Sequence, residues 1–94
     1  MSKINEVLET AEASIFIGLN ELKKHNIHIG DRRTSVTLEP QVWAVLQDVA
    51  KEQGCTTHEL CDFINERKSD DSSLASSIRV FLISYLNIKL KKGL

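Results

Sequence analysis

The chain has one proline, four glycines and two cysteines in 94 residues. So few chain breakers leave little room for long disordered tracts. Cys55 and Cys61 are too few for a disulfide scaffold and fit a reduced, cytoplasmic chain. Met1 to Val7 does not join a basic stretch to an apolar core, so no secretory signal is read there. No apolar run approaches the length that crosses a bilayer, and no membrane association is expected. An excess of one charge is also lacking: twelve Lys and Arg face thirteen Asp and Glu, giving a net charge of -1. Nucleic-acid binders usually carry a basic footprint, so such a contact would have to rest on a local strip. There is no Gly-rich phosphate loop and no nucleophile and base at a telling spacing, so no enzyme and no cofactor is expected.

What is present suits one folded domain over residues 1–94. The hydrophobic share of 41% and the charged share of 27% are ordinary for a globular protein. A chain this short buries its surface less completely than a longer one, which favours self-association.

The most informative stretch is Arg32-Arg33-Thr34-Ser35-Val36-Thr37-Leu38-Glu39-Pro40. Its alternation predicts a strand with Thr34, Val36 and Leu38 on one face and Arg33, Ser35 and Thr37 on the other. Pro40, the one proline, ends the strand and suits the first position of a helix, where its missing N–H costs nothing. A single strand leaves unpaired N–H and C=O groups on both edges. That predicts pairing with the same strand of a second copy about a two-fold axis, with Thr34, Val36 and Leu38 in the dimer core.

Around the strand the periodicity is helical. Residues 3–25 carry Ile4, Leu8, Ala11, Ile15, Leu19 and Leu22 at spacings of three and four, with Ser2 as N-cap, Val7, Phe16 and Ile17 widening the stripe and Gly18 interrupting it. A connector follows, in which Ile27-His28-Ile29 fits a short strand or an anchored loop and Gly30-Asp31 a turn. Residues 40–53 form a second helix with Val42, Val45, Leu46 and Val49 on one stripe and Trp43 beside it, closed by Gly54. Thr56 with Glu59 three residues on is a capping box for a third helix to about Arg67. After a polar linker, a fourth helix runs from about Leu74 to Leu90. Ile78 to Leu86 is apolar on nearly all sides, which predicts burial on more than one face. Arg79 within it calls for a partner such as Asp62 or Glu66.

Other signals have bland readings. Cys55, His58 and Cys61 are spaced by three, but a structural zinc takes four ligands and the nearest further histidines, His25 and His28, are distant in sequence; no metal is expected. His25 and His28 are read as exposed loop residues, and Trp43 as partly packed against the core.

The order of polar strand, Pro-led helix, Gly turn and Thr-capped helix resembles the ribbon-helix-helix family of DNA-binding proteins. The resemblance lies in Arg33 to Pro40, in Val42, Leu46 and Val49, and in Gly54 to Leu60. Ser35 to Trp43, continued by Leu74 to Phe81, looks like a bacterial subgroup with an added C-terminal helix. It implies a mainly α fold in three parts: an N-terminal helix and connector over 1–30, the ribbon-helix-helix core over 31–67, and a linker with a C-terminal helix over 68–94.

The same resemblance implies a homodimeric transcriptional regulator that binds double-stranded DNA. An antiparallel two-chain ribbon would enter the major groove. Arg33, Ser35 and Thr37 would contact bases. The start of the third helix at Thr56 and Thr57, with Arg32, would hold phosphate. Residues 41–67 carry two cations against five carboxylates and Glu39 closes the strand, so phosphate neutralisation would be weak. The rival reading is a dimerisation scaffold, antitoxin-like in one form, that engages a protein through its first or last helix with little DNA binding. Dimer and tetramer both stay open.

Overall fold

Two alternating segments, Lys23–Ile29 and Arg32–Leu38, pair with each other and set the layout of the chain. The computed structural model describes residues 6–93, in the order α1 (Glu6–Asn20), β1 (Lys23–Ile29), β2 (Arg32–Leu38), α2 (Pro40–Glu52), α3 (Thr57–Arg67) and α4 (Leu74–Lys92). The fold is mainly α, with a helix added at each end of a ribbon-helix-helix arrangement.

The strands form an antiparallel hairpin in which Ile29 lies opposite Arg32 and Lys23 opposite Leu38. Gly30 and Asp31 make the turn, and Gly30 has φ +59°. Glycine takes that left-handed conformation without the cost a Cβ would add.

This hairpin corrects two expectations. The helix expected over 3–25 ends at Asn20, because Lys23 onwards alternates with a period of two. The strand expected to pair only across a homodimer is paired with β1 of its own chain. Val36 and Leu38 are accordingly buried by the chain's own helices, and Thr34 is half-buried opposite Ile27. Ser2 and Ile4 lie outside the described residues, as do the side chains of Phe16 and Leu19.

The inner face of the hairpin carries Ile27, Ile29, Val36 and Leu38. Above it lie Leu46, Val49 and Ala50 of α2, Leu60, Cys61 and Ile64 of α3, and Ile78 and Leu82 of α4. Each large aliphatic side chain buried in this way contributes roughly 1.5–3 kcal/mol relative to leaving it in water. The helices are one layer and the hairpin the other, so the outer face of the hairpin stays open to solvent.

The helix ends follow the local sequence. Pro40 opens α2, and the left-handed Gly54 (φ +72°) follows its C-cap. The capping box of α3 is complete: Thr56 Oγ1 accepts from Glu59 N–H at 3.0 Å, and Glu59 Oε1 accepts from Thr56 N–H at 2.8 Å. Ser73 caps α4 by accepting from Ser76 N–H at 3.0 Å.

α4 departs from its expected burial. Ile78 and Leu82 are buried, whereas Val80, Ile83, Leu86, Ile88 and Leu90 are exposed, because the hairpin and helices cover one side of it. Arg79 pairs with neither Asp62 nor Glu66. It reaches Glu39, at 3.0 Å from Nε and 2.9 Å from Nη2 to Oε1. The packing of α4 beside the end of β2 brings that carboxylate within reach. Among the described residues no helix is long and apolar enough to cross a membrane.

Candidate nucleic-acid interface

Opposed residues of an antiparallel pair share a face, and the register therefore defines the outer face of the hairpin. Lys24 lies opposite Thr37, Asn26 opposite Ser35 and His28 opposite Arg33. All six are exposed. The face holds a lysine, an arginine, an amide, an imidazole and two hydroxyls, and no carboxylate. It is a local polar strip rich in donors on a chain that carries no overall positive charge.

Two acids lie within two residues of this strip in sequence: Asp31 is exposed at the turn, and Glu39 is turned away from the strip. The ion pair with Arg79 holds it against α4. Its carboxyl sits below the usual carboxylate range, first because its own backbone N–H bonds it and then because Arg79 donates to it, while burial opposes the shift.

The two edges of the hairpin differ. His28 N–H leaves the ladder and donates to His58 Nδ1 of α3 at 3.0 Å, with the two rings edge to face at 5.5 Å between centroids. His58 thus accepts at Nδ1, which places the proton of its neutral form on Nε2. Because His28 directs its N–H outward, the pair His28–Arg33 is one of the pairs without mutual ladder bonds. Such pairs alternate along the ladder, so Arg33, Ser35 and Thr37 all direct their N–H and C=O to the outer edge of β2. Among the described residues no hydrogen bond closes that edge. The edge of β1 is lined by α3, and the edge of β2 is open.

α3 begins beside β1, near the outer face. Thr56, expected at a phosphate, has its N–H and its side-chain oxygen engaged with Glu59 in the capping box. The helix start therefore offers the N–H groups of Thr57 and His58, with Thr57 half-buried and His58 exposed. Arg32 is exposed at the turn end of β2, opposite Ile29. The hairpin brings Arg33, Ser35 and Thr37 onto one face, and α3 sets Thr57 along the side of it formed by β1.

Asn26 and His28 were not legible as interface residues from the sequence, and Lys24 was legible only as a cation placed just before the ribbon. Lys24 fell at the end of an over-long helix, and Asn26 and His28 in a connector. The signal available was Ile27-x-Ile29 before a two-residue Gly30-Asp31 turn and the alternating β2, which is a hairpin pattern.

His25 faces inward from β1 and stacks on Trp43 of α2, with centroids 3.8 Å apart and planes 5° from parallel. It is a half-buried core-edge residue rather than an exposed loop residue. Burial first, and Lys23 second, lower its pKa below the usual histidine value. Cys55, His58 and Cys61 do not converge. Among the described residues no three His, Cys, Asp or Glu side chains gather around a metal-sized point. Cys61 lies in the core, where burial pushes its thiol up to about 11.

No curated protein and no solved structure matches the chain. Residues 22–86 match the family model of the ribbon-helix-helix domain. That segment begins just before β1 and ends within α4, so the hairpin belongs to the shared domain and α1 precedes it.

Proposed function

The chain belongs to the ribbon-helix-helix family of DNA-binding regulators, and from that premise we propose that it is a homodimeric transcriptional regulator whose sheet reads the major groove. One observation carries the reading: the six outward residues of the hairpin offer hydrogen-bond donors and two cations with no carboxylate among them.

The open edge of β2 supports the dimer. Two copies joined β2 to β2 about a two-fold axis satisfy the N–H and C=O groups of Arg33, Ser35 and Thr37 in both. The result is a four-stranded sheet in the order β1, β2, partner β2, partner β1. Strands lie about 4.8 Å apart, so its outer strands are about 14 Å apart, against a major groove about 12 Å wide. The central β2 pair therefore enters the groove, and each β1 lies along a wall.

This assigns the contacts. Arg33 donates to a guanine edge, and Ser35 and Thr37 serve as short partners to neighbouring bases. Lys24 and His28, from β1, meet the flanking phosphates. The Thr57 and His58 N–H groups, with the dipole of α3, hold phosphate beside them, while Arg32, opposite the inward Ile29, flanks the turn end of the sheet.

A gel shift of the full chain against genomic fragments at low salt tests the reading. A retarded species is expected, and Lys24→Ala should lower the slope of log affinity against log salt by about 1. If the wild-type chain retards no fragment at low salt, DNA binding is lost as the function and the scaffold reading takes its place.

A further inference from the structure

α3 and α4 meet along a groove that shares no residue with the outward face of the hairpin. Its walls are Leu60 and Phe63 of α3 and Phe81 and Tyr85 of α4, with Cys55 and Glu59 beside them. Glu59 and Phe63 stand four residues apart and so share one face of α3, whereas His58, on another face, reaches β1. The groove encloses about 340 Å³, at the small end of the range of roughly 300–1,000 Å³ that holds small molecules.

Three aromatic rings follow one another along it. Phe63 meets Phe81 edge to face with centroids 6.2 Å apart, and Phe81 lies 6.1 Å from Tyr85. The polar end of Tyr85 is already paired: Gln53 Nε2 donates to its hydroxyl at 2.8 Å, and the hydroxyl donates to Glu52. Phe63 is 44% exposed, a large apolar ring left in water. The charge beside the rings is negative. Glu59 uses one carboxylate oxygen on the Thr56 N–H, and among the described residues no lysine or arginine lines the groove. Lys89 and Arg67, which also contact these rings, are engaged outside it. Lys89 pairs with Glu52. The Arg67 guanidinium lies 3.7 Å from the Phe63 centroid and lines a neighbouring cleft with Ser69 and Ser72.

We infer that the α3–α4 groove binds a lipophilic organic cation, an aromatic body carrying an ammonium group. The ring faces attract a cation through their negative quadrupoles. Glu59 supplies the opposite charge, and the apolar walls take the body of the ligand. A neutral ligand of similar size gains the apolar contact alone, and an anion meets the Glu59 carboxylate. The site stands apart from the hairpin and does not depend on DNA binding.

Benzyltrimethylammonium is the probe that tests it, with benzyl alcohol and benzenesulfonate as neutral and anionic counterparts. Cys55 is half-buried beside the groove and Cys61 fully buried in the core. Alkylation of the full chain by N-ethylmaleimide, followed by mass spectrometry, therefore reports on the groove. The cation should protect Cys55 with a half-point of about 1 mM or below, and the other two probes should need at least about tenfold more. Glu59→Gln, which keeps the capping box, and Phe63→Leu should each raise the half-point of the cation about threefold to tenfold. Circular dichroism checks that each variant keeps its helix content; should one lose it, the other variant and the three probes decide. The inference is overturned if the cation gives no protection at about 20 mM, if the three probes protect alike, or if the folded variants are protected as wild type is. The gel shift judges the proposed function separately, because no residue of the outward face lines this groove.

Discussion

Ile27→Ala is the sharpest test that β1 is part of the core of its own chain. Ile27 is fully buried on the inner face of the hairpin, opposite Thr34. The substitution removes three carbons, worth about 0.8 kcal/mol each in transfer, or about 2.4 kcal/mol. The residual cavity adds about 1 kcal/mol if roughly 40 Å³ of it persists. The expected loss is therefore about 3.5 kcal/mol, a large share of the roughly 5–15 kcal/mol that holds a domain folded. Urea unfolding followed by circular dichroism should show the midpoint falling by about 2.3–3.5 M, for a slope of about 1–1.5 kcal/mol per molar. Protein concentration must be held fixed, because self-association contributes to apparent stability. Gln47→Ala on the exposed face of α2 is the control and should change stability by less than about 0.5 kcal/mol. A loss below about 1 kcal/mol for Ile27→Ala would show that β1 does not pack where the hairpin places it.

Two further predictions concern pH and the clasp at the end of β2. Glu39→Gln should cost about 1–2 kcal/mol at neutral pH by removing a charged partner of Arg79. The folded pKa of Glu39 lies below its ordinary value of 4.5, so its contribution is present above that value and lost as pH falls through the depressed folded one. The Gln variant should accordingly show a flatter decline in urea midpoint on the acid side. The folded pKa of His25 is lowered from 6.5, so the unfolded chain binds its proton more readily and stability should decline as pH falls through 6.5. His25→Phe, which can keep a ring against Trp43, should remove that decline when urea midpoints at about pH 7.5 and about pH 5.5 are compared.

Much of this architecture was legible because its signals are local. Arg32–Leu38 announces a strand by alternation, Pro40 and Gly54 bracket α2, and the Thr56–Glu59 box opens α3. β1 was hidden because the apolar spacing of α1 runs on to Leu22 and Lys23-Lys24-His25-Asn26 contains no β-branched residue. What makes that segment a strand is its pairing with β2, which is not a local property. The same gap concealed half of the candidate interface, since Lys24, Asn26 and His28 join the outward face only through the register. It also inverted the argument for a dimer. The strand does not need a second copy to pair, but its open edge still presents the groups that a second copy would satisfy. The partner of Arg79 depended on where α4 comes to rest, and the approach of Glu39 changes the electrostatic reading of the interface. A carboxylate that would have repelled phosphate is held by a guanidinium instead.

The central claim is that the outward face of the hairpin reads a base sequence, and fluorescence anisotropy of Arg33→Ala on two labelled duplexes tests it most directly. One duplex carries a fragment selected by the wild-type chain and the other a scrambled sequence of equal length. The account predicts a loss of about 1–3 kcal/mol on the selected duplex and a much smaller loss on the scrambled one. Equal losses on both, or none on either, would contradict it.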